Sequence, residues 1–167
     1  MADRKIRKMV LAAMLAALVT VATMVVRIPS PTNGYVNLGD CFVLLAGWLL
    51  GPWYGAAAAG IGSMLTDLLS GYAYYAPVSL LVKGLDAFVA AKIYAAMHKR
   101  RGALVVSGVV GELIMAAGYF GYTALLLGKG LTAALSIPGN LVQGALGIAA
   151  GSLLMALAKR THLTEKI

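Results

Sequence analysis

The chain has 167 residues, of which 60% are hydrophobic and 12% are charged, and its mean hydropathy is +0.84. Soluble domains have about 25% charged residues, and disordered chains combine low hydrophobicity with high charge, so the composition argues against both classes. The net charge is +8, from 14 Lys and Arg against 6 Asp and Glu. In so apolar a chain this excess indicates membrane orientation rather than nucleic-acid binding, provided that the cations lie between membrane spans.

The first predicted span follows a basic cluster and runs over about residues 6–26. A basic start before an apolar run is also typical of a secretory signal peptide. The run is long, and no small-x-small cleavage site leads into a polar domain, so we predict an uncleaved helix. Residues 27–39 (RIPSPTNGYVNLG) are rich in Pro, Gly and Asn, and they predict an outer loop with some internal order.

The next apolar stretch runs from Asp40 to Ser70 and is interrupted at Gly51-Pro52. It is too long for one span, and the interruption predicts two short helices over about 40–50 and 53–69. A Tyr-rich turn at 71–76 is typical of a membrane interface. Three further spans are predicted over about 77–97, 103–127 and 131–157. The sequence therefore predicts an all-α membrane protein with a single six-helix domain over 1–167.

The positions of the cations give this layout an orientation. With the N-terminus inside, ten cations fall on the inner side and two, Arg27 and Lys129, on the outer side. The inner ten are Arg4, Lys5, Arg7, Lys8, Lys99, Arg100, Arg101, Lys159, Arg160 and Lys166. This bias predicts cytoplasmic ends for the chain, since inner loops of membrane proteins are enriched in Lys and Arg.

Ionisable side chains inside a span are costly unless they are paired or face a cavity, so each is a candidate site residue. Lys92 lies near an inner helix end, where a long side chain reaches water. Asp40 has the position of an N-cap, although a functional role is equally open. Asp67 could cap the next turn, pair with Lys83 or line a cavity. Glu112 is predicted near mid-membrane.

Polar residues of the fourth and sixth spans are predicted to meet in the outer leaflet. Lys83 and Asp86 are three residues apart, so they share a helix face and can pair. Asn140 and Gln143 have the same spacing, and they either bond across helices or face a ligand. Together with Tyr119 and the first loop they predict a pocket that opens outwards.

Sequence motifs of enzymes and bound cofactors are missing. The chain has no P-loop, GxSxG, HExxH or dinucleotide fingerprint. Its single Cys41 excludes an internal disulfide and gives no cluster for a metal. We therefore predict a protein that is not an enzyme and that needs an ion gradient or a partner for uphill transport.

Small residues form two overlapping AxxxA pairs on the first helix, at Ala12, Ala13, Ala16 and Ala17. This spacing lets membrane helices approach closely. The stripe could serve packing within the chain or contact with a partner membrane protein.

The block from Tyr35 to Leu85 resembles the substrate-binding (S) components of energy-coupling factor (ECF) vitamin transporters. The matching pieces are NLGD at the second helix, LGP at the break, GxGSxxxDLLSGY closing the third helix and YAPxxxxxKG entering the fourth. The later IPGNLVQGxLG (Ile137–Gly147) and the first-helix AAMLAA also fit, so the resemblance spans nearly the whole chain.

The resemblance implies a six-helix subunit that binds one vitamin or precursor at its outer side. It implies partners too: a transmembrane coupling subunit, contacted through the first-helix alanines, and two cytoplasmic ATPases whose ATP hydrolysis topples the subunit. The outer loop becomes a gate, with Pro29, Asn33 and Tyr35. The residues predicted to bind substrate are Asn37, Tyr74, Tyr75, Lys83, Asp86, Tyr119, Asn140 and Gln143.

A small aromatic heterocycle suits these side chains, because rings stack on tyrosine while amides and charges fix orientation. The sequence is most similar to members for hydroxymethylpyrimidine or vitamin B6, and riboflavin stays open. With pyridoxal, Lys83 could form a Schiff base. The alternative classes are a proton-coupled secondary transporter, with Asp86 and Glu112 as relays, and a membrane scaffold. The expected location is a bacterial or archaeal plasma membrane.

Overall fold

The computed structural model describes residues 2–30, 34–98, 100–161 and 164. Six α-helices and one hairpin account for most of this part of the chain. In chain order they are α1 (Ala2–Val25), β1 (Arg27–Ser30), β2 (Gly34–Asn37), α2 (Gly39–Leu50), α3 (Pro52–Leu69), α4 (Ala76–Ala96), α5 (Arg101–Gly121) and α6 (Ile137–Arg160). The six predicted helices are thus confirmed, with ends that shift by a few residues.

The connection between α1 and α2 is more ordered than a simple loop. Its two strands pair antiparallel, from Arg27 opposite Asn37 to Ser30 opposite Gly34. The hairpin sits at the end of the bundle opposite the basic clusters of α1, α5 and α6. We call that opposite end the outer end.

The break between α2 and α3 falls at Gly51, whose φ of 84° is the left-handed region that favours glycine. Pro52 then occupies the first turn of α3, where its missing N–H costs nothing. The turn folds α3 back against α2, and Gly55 meets Gly47 with no room for a side chain between them. This close approach keeps the short α2 inside the bundle, and ten of its 12 residues are buried.

The connection between α5 and α6 is irregular. α5 continues into one π-helical turn (Tyr122–Leu126), and a 3-10 segment (Gly130–Ser136) precedes α6. The sixth helix therefore starts later than predicted, at Ile137, with Pro138 in its first turn. A π turn widens the helix locally and often lies at a functional site.

The apolar core occupies the inner half of the bundle. It joins all six helices through side chains such as Leu15, Trp48, Tyr94, Leu104 and Met155. The indole of Trp48 donates to Ser107 Oγ at 2.9 Å, so the core contains a satisfied polar contact. With the inner half filled, the outer half is left for a cavity.

Three described helical segments are long and apolar enough to cross a membrane: Arg4–Val25, Gly102–Leu126 and Gly130–Arg160. α2 is apolar but short, at 12 residues. α4 has a suitable length and contains Lys83, Asp86 and Lys92, which lower its hydropathy. α2 is too short to span a bilayer, so it depends on neighbouring helices to separate it from lipid. α4 depends on them to keep its charged side chains out of lipid.

Candidate functional site

A polar cavity of about 420 Å³ lies at the outer end of the bundle. All six helices contribute to its wall, and β2 contributes Asn37. Its volume falls within the range of small-molecule sites, which are about 300–1,000 Å³.

A buried ion pair forms the floor of the cavity. Lys83 Nζ on α4 contacts Asp40 Oδ1 on α2, and these residues are 5% and 1% exposed. Gln143 on α6 donates from Nε2 to the second oxygen of Asp40 at 2.7 Å. The carboxylate is thus compensated by one ammonium and one amide, as a charge inside a membrane protein must be.

The same glutamine connects the floor to the outer hairpin. Gln143 Oε1 accepts from Asn37 Nδ2 at 2.8 Å and from the Asn37 backbone N–H at 3.2 Å. Asn37 Oδ1 in turn accepts from the Gly39 N–H at 2.8 Å, which fixes the entry into α2. One hydrogen-bonded chain therefore runs from the hairpin through α6 and α2 to Lys83 on α4.

Tyrosine rings form one wall of the cavity. The Tyr75 ring lies 4.8 Å from Tyr74, 5.3 Å from Tyr122 and 6.3 Å from Tyr119, measured between centroids. Tyr119 OH and Ser79 Oγ share a hydrogen bond of 2.8 Å. The Tyr119 ring lies 5.9 Å from Lys83 Nζ, so the aromatic wall adjoins the charged floor.

α3 supplies a polar strip of Ser63, Thr66 and Asp67 to the cavity wall. The Thr66 hydroxyl donates to Gly62 O at 3.0 Å within its own helix. The motif GxGSxxxD therefore has two parts: its glycines allow close helix packing, and its polar residues face the cavity.

The structure brings most of the predicted substrate-binding residues together. Seven of them line the cavity: Asn37, Tyr74, Tyr75, Lys83, Tyr119, Asn140 and Gln143. Asp86 does not line it and is fully buried against α5, beside Gly111. Its side chain points into the α4–α5 contact, where Gly111 leaves room for it, while Ser79 and Lys83 of α4 face the cavity.

Two expectations for acidic side chains are corrected. Asp40 does not cap α2: the N-cap is Leu38, which makes no side-chain cap bond, and Asp40 lies inside the first turn. Lys83 pairs with Asp40 and not with Asp86, because α2 packs against the outer half of α4 and brings a carboxyl closer to the ammonium. Asp67 lines the cavity, one of the three roles left open for it.

The first-helix alanines divide into two faces. Ala16 is buried against α3, where its carbonyl meets Gly62, and Ala12 is half-buried. Ala13 and Ala17 are exposed. One edge of the stripe thus packs inside the bundle, and the other edge is exposed.

The predicted gate residues lie partly within the described residues. Pro29 is in β1 and Tyr35 is in β2, opposite each other in the hairpin register. Asn33 lies outside the described residues.

Several cavity residues were not predicted. They include Thr23, Ser63, Thr66, Tyr72, Ser79, Thr123 and Ser136. Ser63, Thr66 and Asp67 share one face of α3 by spacing, and Ser79 lies four residues before Lys83, so helical periodicity could have indicated them. Thr123 could not be placed, because the π turn changes which side chain faces inward.

A bundle of six largely apolar helices around a polar cavity at one end defines a membrane-embedded binding protein. A family model described as "ECF-type riboflavin transporter, S component" matches residues 3–160. The chain belongs to the S component family of ECF-type transporters. It is therefore a substrate-binding subunit of a transport system and not an enzyme.

The chain has two further similarities to known proteins. A protein of Pyrococcus woesei described as "Uncharacterized protein in gap 3'region" is 34% identical over 143 residues, which cover 85% of this chain and 95% of the relative. The solved structure titled "Structure and mechanism of the S component of a bacterial ECF transporter" has a TM-score of 0.69 and 22% identity. It covers 94% of this chain, and the match covers 98% of that structure. The structural likeness shows a shared fold.

Proposed function

We propose that this S component binds one small, uncharged aromatic heterocycle in the outer cavity, with vitamin B6 or hydroxymethylpyrimidine as the favoured ligand. The main observation behind this proposal is that a tyrosine wall adjoins a polar floor. The Tyr119 ring centroid lies 5.9 Å from Lys83 Nζ. A ring stacked on the cavity side of the tyrosine wall, against Tyr119, would place its substituents near Lys83 and Asn140.

The charge of the floor favours a ligand without a phosphate group. Lys83 is a buried cation beside the cavity, and it is already compensated by Asp40. A phosphate would have to displace that carboxylate into an apolar environment, which is unfavourable. The unphosphorylated vitamin or precursor is therefore the preferred form.

Riboflavin is the second candidate ligand. The description of the matching family model names riboflavin. A tyrosine wall would also stack on an isoalloxazine ring. The two candidates differ in ring size and in optical properties, so one binding experiment separates them.

The ligand is tested on the chain purified in detergent. Small molecules that copurify are identified by mass spectrometry after denaturation. Pyridoxine, hydroxymethylpyrimidine and riboflavin are then titrated by calorimetry, with pyridoxal phosphate as the charged control. Tight binding of pyridoxine or hydroxymethylpyrimidine supports the favoured ligand, while binding of riboflavin alone supports the second. Failure of all of them overturns the proposal.

Uptake would depend on other subunits. ECF S components as a family pair with transmembrane and ATPase modules. We propose that the exposed edge of α1, at Ala13 and Ala17, contacts the transmembrane coupling subunit in the cell membrane. ATP hydrolysis by two cytoplasmic ATPases would topple the loaded subunit, and the hairpin of residues 27–37 would gate the cavity.

A further inference from the structure

Behind the cavity floor lie two acidic side chains that neither line the cavity nor form the described ion pair. Asp86 on α4 and Glu112 on α5 are 0% and 4% exposed. Among the described residues, no amide, hydroxyl or ammonium group donates to any of their four carboxyl oxygens, and the polar neighbour of Glu112 is another carboxyl group, that of Asp40. Buried carboxylates almost always have a cation or a hydrogen-bond donor beside them. Two buried acids without such a donor therefore require a physical explanation.

Glycines on neighbouring helices make the space for these carboxyl groups. Gly111 on α5 lies directly against the Asp86 carboxyl. On α6, a side chain at Gly144 would meet Glu112 Cβ at 2.9 Å, and one at Gly147 would meet Glu112 Oε1 at 3.2 Å. The acids therefore lie inside the α4–α5 and α5–α6 contacts, where water cannot solvate them.

The surrounding charges do not neutralise them. A side chain at Gly147 would also meet Asp40 Cβ at 2.8 Å, so Glu112 and Asp40 are close neighbours. The positive charge in this region is Lys83, which Asp40 already engages. The other titratable groups on the cavity side are Tyr119 on α5, Asp67 on α3, Lys129 before α6 and the tyrosines Tyr72, Tyr74 and Tyr75, while α6 itself contributes the uncharged Asn140 and Gln143. The cations of α1 and α6 lie at the inner end of the bundle.

Ionisation of all three acids would place three negative charges around one positive charge in a water-excluded site. A carboxylate buried without a partner has a large free-energy cost, and adjacent like charges increase it. A carboxylic acid avoids this cost when it keeps its proton.

We propose that Asp86 and Glu112 form a proton-binding site in which both side chains are held as neutral acids. On folding, each carboxylate takes one proton from water; on unfolding, each returns it. Asp40 is then the single anion that compensates Lys83. The site keeps the contacts of α4, α5 and α6 behind the ligand cavity electrically neutral.

The linkage between protons and folding gives the first test. The unfolded chain ionises both acids above about pH 4 and so binds fewer protons than the folded chain, which makes stability fall as pH rises. Each neutral acid raises the unfolding equilibrium constant about tenfold per pH unit. We expect the unfolding midpoint of the ligand-free protein in detergent to fall as the pH rises from about 5 to about 7.

Neutral isosteres identify the groups responsible. In the wild type, each acid is expected to raise the unfolding equilibrium constant about tenfold per pH unit. Asp86→Asn and Glu112→Gln should each remove one such tenfold factor, and the double variant should remove about a hundredfold factor per pH unit. Asp3→Asn, at a residue in the first turn of α1, is the matched control and should keep the wild-type slope. Wild-type slopes in both single variants would overturn the proposal.

Infrared spectroscopy tests the same site on the wild-type protein itself. The wild-type protein at neutral pH should show the carbonyl band of a protonated carboxylic acid, sensitive to deuterium exchange, and the double variant should lack it. No such band in the wild type would overturn the proposal. So would a midpoint that rises with sodium or potassium at fixed pH, since a metal cation would then balance the charge. Because no ligand is used, these outcomes are independent of the proposed transport function.

Discussion

Asp40 and Lys83 show how one residue pair determines the character of the cavity floor. Both side chains are buried, and each is the other's charge partner. A buried pair contributes little net stability, but removing one member leaves an uncompensated charge. The main effect of the pair is therefore to make the cavity floor polar, and its net contribution to the free energy of unfolding is small.

We predict that Asp40→Asn lowers the free energy of unfolding by about 3–5 kcal/mol, because Lys83 loses its anion. The double variant Asp40→Asn/Lys83→Met should recover most of this loss. The measurement is thermal unfolding in detergent by differential scanning fluorimetry. Lys92→Met is the control, since Lys92 is exposed and lies 5.7 Å from the Phe88 ring. A double variant no more stable than Asp40→Asn would contradict the prediction.

Tyr119 joins the aromatic wall to the floor, and its ring is available for stacking. We predict that Tyr119→Leu weakens ligand binding about 2- to 10-fold, which corresponds to one aromatic contact of about 0.5–1.5 kcal/mol. Calorimetry with the ligand identified above measures the change. Phe120→Leu replaces the adjacent aromatic residue, which does not line the cavity, and should leave the affinity unchanged. Equal losses in both variants would argue against stacking.

At the scale of elements, α2 and α3 depend on glycines for their contact. A side chain at Gly55 would lie 2.6 Å from Gly47 Cα. We predict that Gly55→Ala separates the two helices and lowers stability by about 1–3 kcal/mol, as overpacking of a close contact does. The melting temperature in detergent is the readout.

Gly121→Ala is the control for that variant. Gly121 ends α5 with helical dihedral angles, and nothing lies within 4 Å of where its side chain would be. The replacement should therefore be neutral or stabilising by about 0.4–1 kcal/mol, because alanine restricts the unfolded chain. A large loss at Gly121, or none at Gly55, would contradict the packing argument.

The hairpin is hydrogen-bonded to α6 through Gln143. Gln143 accepts two hydrogen bonds from Asn37 and donates one to Asp40. We predict that Gln143→Met releases the hairpin, so the Asn37 amide should exchange with solvent more than tenfold faster. Hydrogen exchange followed by mass spectrometry measures it. Asn140→Leu, one turn earlier on α6, should leave that exchange unchanged.

At the scale of the whole molecule, the two edges of the α1 stripe are expected to have different roles. We predict that Ala17→Leu prevents assembly with the coupling subunit while ligand binding and melting temperature stay at wild-type values. Ala16→Leu should instead lower stability by about 1–3 kcal/mol, because Ala16 meets Gly62 of α3. Copurification with the coupling subunit and both ATPases gives the readout. Normal assembly of Ala17→Leu would place the interface elsewhere.

Much of the architecture is readable in the sequence, because each signal is local. Hydrophobic runs long enough for a bilayer predict the helices, and Gly51-Pro52 predicts the α2–α3 break. The NLGD, GxGSxxxD and YAPxxxxxKG pieces indicate the family. Polar residues in apolar helices indicate the outer cavity, since such residues are rarely tolerated without a role.

The pairing of these polar residues was decided by tertiary structure alone. Helical spacing permits Lys83 to meet Asp86, but the packing of α2 on α4 brings Asp40 to it instead. The AxxxA spacing likewise predicts one stripe of small residues on α1, at Ala12, Ala13, Ala16 and Ala17. In the structure, contact with α3 buries Ala16 and leaves Ala17 exposed. The sequence by itself determined the helices, their orientation bias and the family, because these depend on near neighbours in the chain. Only the tertiary structure decided which charges meet, because residues 43 positions apart come together through helix packing.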